Sequence, residues 1–164
     1  KKVLVLTNFI FSFSAPWIDF KKKVTHFKRL DSFEYFWFFN QAYFKNKKKT
    51  WKIEPSNGGG IVNYYLPHAI FNILSIFKDV KIKKIHKKKY FNKILTYLEI
   101  TFLINKKLSF LKINNKSDTN LHKVEIKKIL KNKNLTIINN SKKWLSNFIV
   151  KSNNMDKHKF KKKN

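Results

Sequence analysis

The chain has 164 residues, the size of one domain with short extensions, and carries 37 Lys and Arg against 9 Asp and Glu, a formal charge of +28. A free globular domain holds a charge of about 2 to 8 in magnitude, so this much self-repulsion implies an anionic partner. Nine scattered acids leave little for acid–base catalysis, and a chain without cysteine has no disulfide or thiolate metal site.

Arg29 is the sole arginine among the 37 cations. Lysine meets phosphate as a flexible point charge, whereas arginine supplies the planar fork that reads bases. The balance therefore favours neutralising a nucleic-acid backbone over reading its sequence. Codon bias contributes to the charge, because Lys, Asn, Ile and Phe, all with A/T-rich codons, make up 90 of the 164 residues. Glutamate also has an A-rich codon yet occurs only four times, so bias alone does not explain the imbalance. Four tryptophans in so AT-rich a sequence suit a genome that reads a stop codon as tryptophan, as many mitochondria do. The uncharged stretches 3–18 and 61–77 fall short of the roughly 20 residues of a membrane-spanning helix, and the N-terminal segment lacks a cleavage pattern.

Residues 3–13, apolar and β-branched, predict a buried strand or a segment docked on a partner, ended by Pro16. Lys21, Lys22, Lys23, His26, Lys28 and Arg29 form the first basic patch. Asp31-Ser32-Phe33-Glu34 has the form of a capping box and predicts a helix through Phe44. Such a helix is apolar all round, more than a small domain can bury. Phe33, Phe36, Trp37, Phe39, Tyr43 and Phe44 are therefore expected to contact another protein or nucleotide bases.

Lys45, Lys47, Lys48 and Lys49 make a second basic run, 50–54 alternates as a short strand, and 55–60 (PSNGGG) predicts a flexible turn holding all three glycines. Pro67 suits the first turn of a helix whose apolar face is Ile70, Phe71, Ile73, Leu74 and Phe77. Segment 80–90, VKIKKIHKKKY, is the most basic of all. Lys81, Lys83, Lys84, His86, Lys87, Lys88 and Lys89 lie there on a predicted strand or arm pinned by Val80, Ile82 and Ile85.

Residues 90–105 predict a helix, although Thr96, Tyr97, Ile100 and Thr101 leave a strand open. A strand is expected at 108–113, a loop at 114–120, a basic helix at 121–133 with Lys127, Lys128 and Lys131, and a short strand at 135–138. Ser141 caps a last helix bearing Lys142 and Lys143, with Trp144, Leu145, Phe148 and Ile149 as its stripe. From 151 the composition becomes a polar tail, with Lys157, Lys161, Lys162 and Lys163, disordered when free. The fold class expected is α+β: a small single domain over 17–150, an N-terminal docking segment over 1–16 and a basic C-terminal tail over 151–164.

Chemistry-bearing motifs are lacking. Ile61 follows the glycine run where a phosphate loop has Lys and then Ser or Thr. The histidines, His26, His68, His86, His122 and His158, are scattered, and with no cysteine they predict neither a metal nor a cofactor. No catalytic residue and no small-molecule substrate is expected.

The size, a pI near 10.3, the basic tail and the aromatic-rich core together resemble the ribosomal proteins encoded in AT-rich protist mitochondrial genomes. The resemblance is compositional and covers the whole chain. It implies a non-catalytic constituent of the mitochondrial ribosome in the matrix, its lysines on ribosomal RNA and its aromatics on neighbouring ribosomal proteins. The same composition also suits an accessory subunit of a mitochondrial inner-membrane respiratory complex, held at an anionic membrane surface.

Overall fold

A computed structural model of the chain describes residues 13–25, 30–47, 50–90, 94–128, 133–140 and 147–154. Pro16 stands in the first turn of a helix, where its missing N–H has no intrahelical acceptor to lose. This helix, α1 (Ala15–Val24), buries Trp17, Phe20 and Val24 on one side and pairs Lys23 with Asp19 at 2.8 Å on the other.

The expected helix over 31–44 is a strand, β1 (Ser32–Asn40), followed by the short helix α2 (Ala42–Asn46). Aromatic residues favour strands, and an aromatic at nearly every position supports a helix face or a strand face equally well. Alternation decides it: Phe33, Tyr35 and Trp37 are buried, and Glu34, Phe36 and Phe38 point to the opposite side. The acids of the supposed capping box serve the sheet instead. The Asp31 amide donates to the Lys127 carbonyl at 2.9 Å, and Glu34 lies 3.8 Å from the Lys127 ammonium.

Two tight turns follow, Trp51–Ile53 and Pro55–Asn57, where a strand was expected over 50–54. A wide π-type turn, Ile61–Tyr65, then leads into α3 (Leu66–Leu74), which carries Pro67 in its first turn as expected. The remaining elements are strands: β2 (Val80–Tyr90), β3 (Ile94–Ile104), β4 (Lys107–Asn114), β5 (Lys116–Lys128), β6 (Lys133–Asn139) and β7 (Ile149–Asn154). Helices expected at 90–105 and 121–133 are thus β3 and β5; β3 alternates between buried and half-buried positions as period-two strands do, and so does β5 from Leu121 to Val124. The loop expected at 114–120 is the end of β4 and the start of β5, and the polar residues after 149 form β7 by pairing with β6. The N-terminal segment 1–12, the helix start at Ser141 and the tail beyond 154 lie outside the described residues.

All seven strands form one mixed sheet in the order β2-β3-β4-β1-β5-β6-β7. Among the described strands only β1 and β4 run parallel; every other neighbouring pair is antiparallel. The expected α+β class holds as a single small domain. One sheet face carries the core, with Phe33, Tyr35, Leu98, Phe102, Leu111, Ile113, Val124 and Ile137 beneath α1 and α3. Trp17 stacks on Tyr35, and Phe33 meets Phe77 edge-on just beyond α3. The other face, bearing Glu34, Phe36, Glu99, Phe110, Lys112 and Lys123, is not covered by any described element.

Candidate functional site

The glycine run is a close-packed junction and not a flexible turn. Gly58 and Gly60 hold φ of +78° and +82°, a region that side chains disfavour. A Cβ on Gly59 would sit 2.0 Å from the Trp51 carbonyl oxygen, so the backbone of 51–52 passes directly against it. These contacts fix the chain that feeds the π-type turn and the first turn of α3. Turns of that kind recur at functional sites.

An aromatic shelf forms around the junction. Trp51, 51% exposed, meets Tyr64 edge-on at 5.2 Å. Tyr64 in turn lies 5.8 Å from the His68 ring, and the Lys52 ammonium sits 5.5 Å from the Tyr64 centroid. Asn63 is exposed beside them and donates to the Pro55 carbonyl at 3.0 Å. Partial burial lowers the pKa of His68, so its imidazole is neutral near pH 7 and can take or give a proton.

Behind His68 a polar and aromatic train enters the core. The Trp37 ring stands 6.4 Å from His68, and His122 stacks on Trp37. The His122 Nε2 lies 2.7 Å from the Tyr35 hydroxyl, which accepts a hydrogen bond from Asn72 of α3 at 3.3 Å. Burial, reinforced by His68, lowers the His122 pKa to about 3. Burial likewise pushes the Tyr35 hydroxyl well above the ordinary tyrosine range. Both groups are therefore neutral, and their hydrogen bonds fix the rear wall of the site without adding charge to it.

The lysines expected to act together lie on separate elements. Lys21, Lys22 and Lys23 occupy the last turns of α1, Lys45 belongs to α2 and Lys47 follows it. Lys81, Lys83, Lys84, His86, Lys87 and Lys88 are exposed along β2, an edge strand that also holds Lys89. Lys127 and Lys128 end β5. Lys28, Arg29, Lys48, Lys49, Lys131, Lys142, Lys143, Lys157, Lys161, Lys162 and Lys163 lie outside the described residues. Of the aromatics expected to face partners, Phe33 and Trp37 are in the domain's own core, and Phe39 packs on Tyr65 with centroids 4.6 Å apart. Phe36 is on the uncovered face, and Tyr43 and Phe44 touch each other in α2. Sequence reasoning passed over His68, Trp51 and Tyr64. Their signals were a glycine run ahead of a helix with Pro67 and His68 in its first turn, and the four-residue spacing of Tyr64 and His68.

No family model matches the chain, and no curated protein matches it. Solved structures do. The fold is similar to that of a protein described as an NADPH-dependent oxidoreductase from Desulfitobacterium hafniense (15% identity, TM-score 0.69, covering 92% of this chain and 49% of that one). A dehydrogenase from Clostridium difficile is similar at 17% identity and TM-score 0.60, over 88% of this chain and 44% of that one. D-galactose-1-dehydrogenase from Rhizobium etli is similar at 9% identity and TM-score 0.66, over 90% and 48%. The chain spans a little under half the length of each. These neighbours are oxidoreductases of the Gfo/Idh/MocA family, and at such identities the likeness shows the fold alone.

That finding corrects the reading from composition. The ribosomal assignment, its ribosomal RNA and ribosomal-protein partners, the respiratory-subunit alternative and the expectation of a protein that is not an enzyme are all overturned, because the sheet and its helices form an architecture used by dehydrogenases. Composition reports codon usage and surface charge; it carries no record of strand order.

The nicotinamide dinucleotide implied by such neighbours does not fit the described residues. A dinucleotide-binding unit needs parallel strands joined by a helix and a glycine-rich turn between strand and helix. Here β1 and β4 are the sole parallel pair, and the only glycines of the sequence follow a tight turn instead of a strand.

Proposed function

We propose that this chain is the substrate-holding half of a two-part oxidoreductase acting on a small polyhydroxylated compound, with the nucleotide-holding half on another segment or chain. The observation that carries this reading is the aromatic shelf of Trp51 and Tyr64 beside His68, at a junction held rigid by Gly58, Gly59 and Gly60. The ring C–H bonds of a sugar lie flat on an aromatic face, while its hydroxyls need a few placed polar groups at the rim. Asn63, Lys52 and His68 supply such groups. His68, neutral near pH 7, can take the proton of a substrate hydroxyl and return it. The names of similar folds support the class, since they include a levoglucosan dehydrogenase seen with NADH and L-sorbose and a D-galactose-1-dehydrogenase. The AT-rich composition supports the mitochondrial matrix as its compartment.

The test is to purify the protein natively with whatever is attached to it and assay reduction of NAD⁺ and NADP⁺ with a panel of aldoses and polyols. Turnover is expected, and His68→Ala should lower it by about 10²- to 10⁴-fold. Turnover in wild type should also fall as pH drops through the lowered His68 pKa, where the imidazole becomes charged. A preparation inactive on every compound, or one indifferent to His68→Ala, would sink the reading.

A further inference from the structure

β2 ends the sheet with its outer backbone edge open. Among the described strands its one neighbour is β3, so alternate residues turn their N–H and C=O groups away from the sheet. Edge strands are commonly kept short, which limits pairing with other chains. β2 is eleven residues long, against six for β7 at the opposite edge. Its register with β3 shifts after Ile82 and again after Lys88. Between those shifts residues 84–88 pair evenly with 97–101 and so present a regular open edge.

The side chains along this edge divide by face. Ile82 and Ile85 pair with the buried Phe102 and Ile100, which puts them on the core-bearing side, yet they are 59% and 48% exposed. Lys84, His86 and Lys88 pair with Thr101, Glu99 and Tyr97 and lie on the opposite side. β2 itself holds no acid. The cross-strand Glu99 is engaged within the sheet, where Tyr97 donates to it at 2.5 Å and the Lys112 ammonium lies 3.5 Å away.

We infer that β2 is a docking edge for an extended acidic segment of another protein, which adds to the sheet as a further strand beside residues 84–88. Two features of the edge name this occupant. An open strand edge is satisfied by another polypeptide backbone, whereas a phosphodiester chain or a lipid headgroup has no ladder of N–H and C=O groups to offer. Charge then selects among polypeptides. The β2 edge of a second copy would bring its own lysines against Lys84 and Lys88, a like-charge pairing, while acids at alternate positions of a partner strand meet them directly across the ladder. On the other side an apolar residue of the same segment covers Ile85. The segment that fits is therefore acidic and apolar by turns.

The probe is a fluorescein-labelled peptide of alternating Glu and Val, titrated with the full chain in physiological salt and read by fluorescence anisotropy. Saturable binding is expected, together with slowed amide hydrogen exchange confined to β2. Lys84→Glu/Lys88→Glu should weaken binding by about tenfold and should take up a Lys/Val peptide that wild type ignores. A Glu/Val peptide methylated at every backbone nitrogen keeps its charge but cannot donate to the edge, and wild type should not bind it. That arm and the exchange measurement use wild type alone, so they stand whether or not the double variant folds. Equal binding of the methylated peptide, an unchanged affinity in a folded double variant, or no binding by wild type overturns the proposal. So does an oligouridylate or a phosphatidylserine–phosphatidylcholine vesicle that slows exchange across residues 84–88 more than the peptide does.

Discussion

The imidazole of His122 lies parallel to the indole of Trp37, their centroids 4.5 Å apart and their planes 4° from coplanar. The pair joins β5 to β1 behind the candidate site, and it tolerates only a neutral imidazole. Tyr35 accepts from Asn72 and shares a hydrogen bond with the His122 Nε2, which a neutral imidazole makes in either tautomer. A charge on His122 would be buried against aromatic faces.

Stability should therefore decline on mild acidification. The folded pKa of about 3 lies below the ordinary histidine value of 6.5, so the unfolded chain binds the proton first. The contribution of His122 is full above pH 6.5 and falls away as pH drops from there toward 3. Glu99 and Glu125, also held below the usual carboxylate range, act in the same direction but only below about pH 4.5. Urea titrations between pH 6.5 and 4.5 should show a slope in wild type that His122→Phe flattens. An unchanged slope would mean that His122 is not buried neutral.

The three glycines should rank by the space around them. At Gly58 an added Cβ meets nothing within 4 Å, so Gly58→Ala carries only the left-handed backbone strain, about 1–2 kcal/mol. At Gly59 the Cβ collides with the backbone of Trp51 and Lys52, and the turn must move. Gly59→Ala should cost more than the roughly 1–3 kcal/mol of ordinary overpacking and should disturb the Trp51–Tyr64 contact. Equal midpoints for the two variants in urea would contradict the close approach.

The lysines of β2 have a structural task on this fold. Among the described strands β2 is an edge strand whose only neighbour is β3, and its residues 81–88 are all exposed, including Ile82 and Ile85. An exposed strand edge templates aggregation unless charge keeps other edges away. Replacing Lys83, Lys84, Lys87 and Lys88 by threonine should leave the circular dichroism spectrum intact and make the protein aggregate at physiological salt, as light scattering would show. A variant as soluble as wild type would leave that charge without this explanation.

Legibility in the sequence followed the strength of the local signal. Pro67 marked its helix correctly, and 108–113 and 135–138 showed as strands because their apolar residues are short runs bounded by polar ones. Phe33 to Phe39 misled, since a run with aromatics on both faces has no usable period and a chance capping box supplied the wrong one. Lys123, Glu125 and Lys127 misled similarly: they alternate with Val124 and Ile126 as one strand, but high polarity made the segment resemble a solvated helix. The site was hidden for a different reason. Tyr64 and His68 meet at the four-residue spacing of helical turns, but Trp51 joins them only because its backbone passes Gly59, a three-dimensional fact that spacing does not encode.

The most direct test of the account is a heteronuclear NMR titration of the chain with L-sorbose and other small sugars. The account predicts that at least one sugar shifts the Trp51 indole, Tyr64, His68 and the first turn of α3, and that Trp51→Ala abolishes the shifts while leaving the rest of the spectrum in place. Saturable shifts confined to another part of the sheet, or no shifts with any sugar, would contradict it.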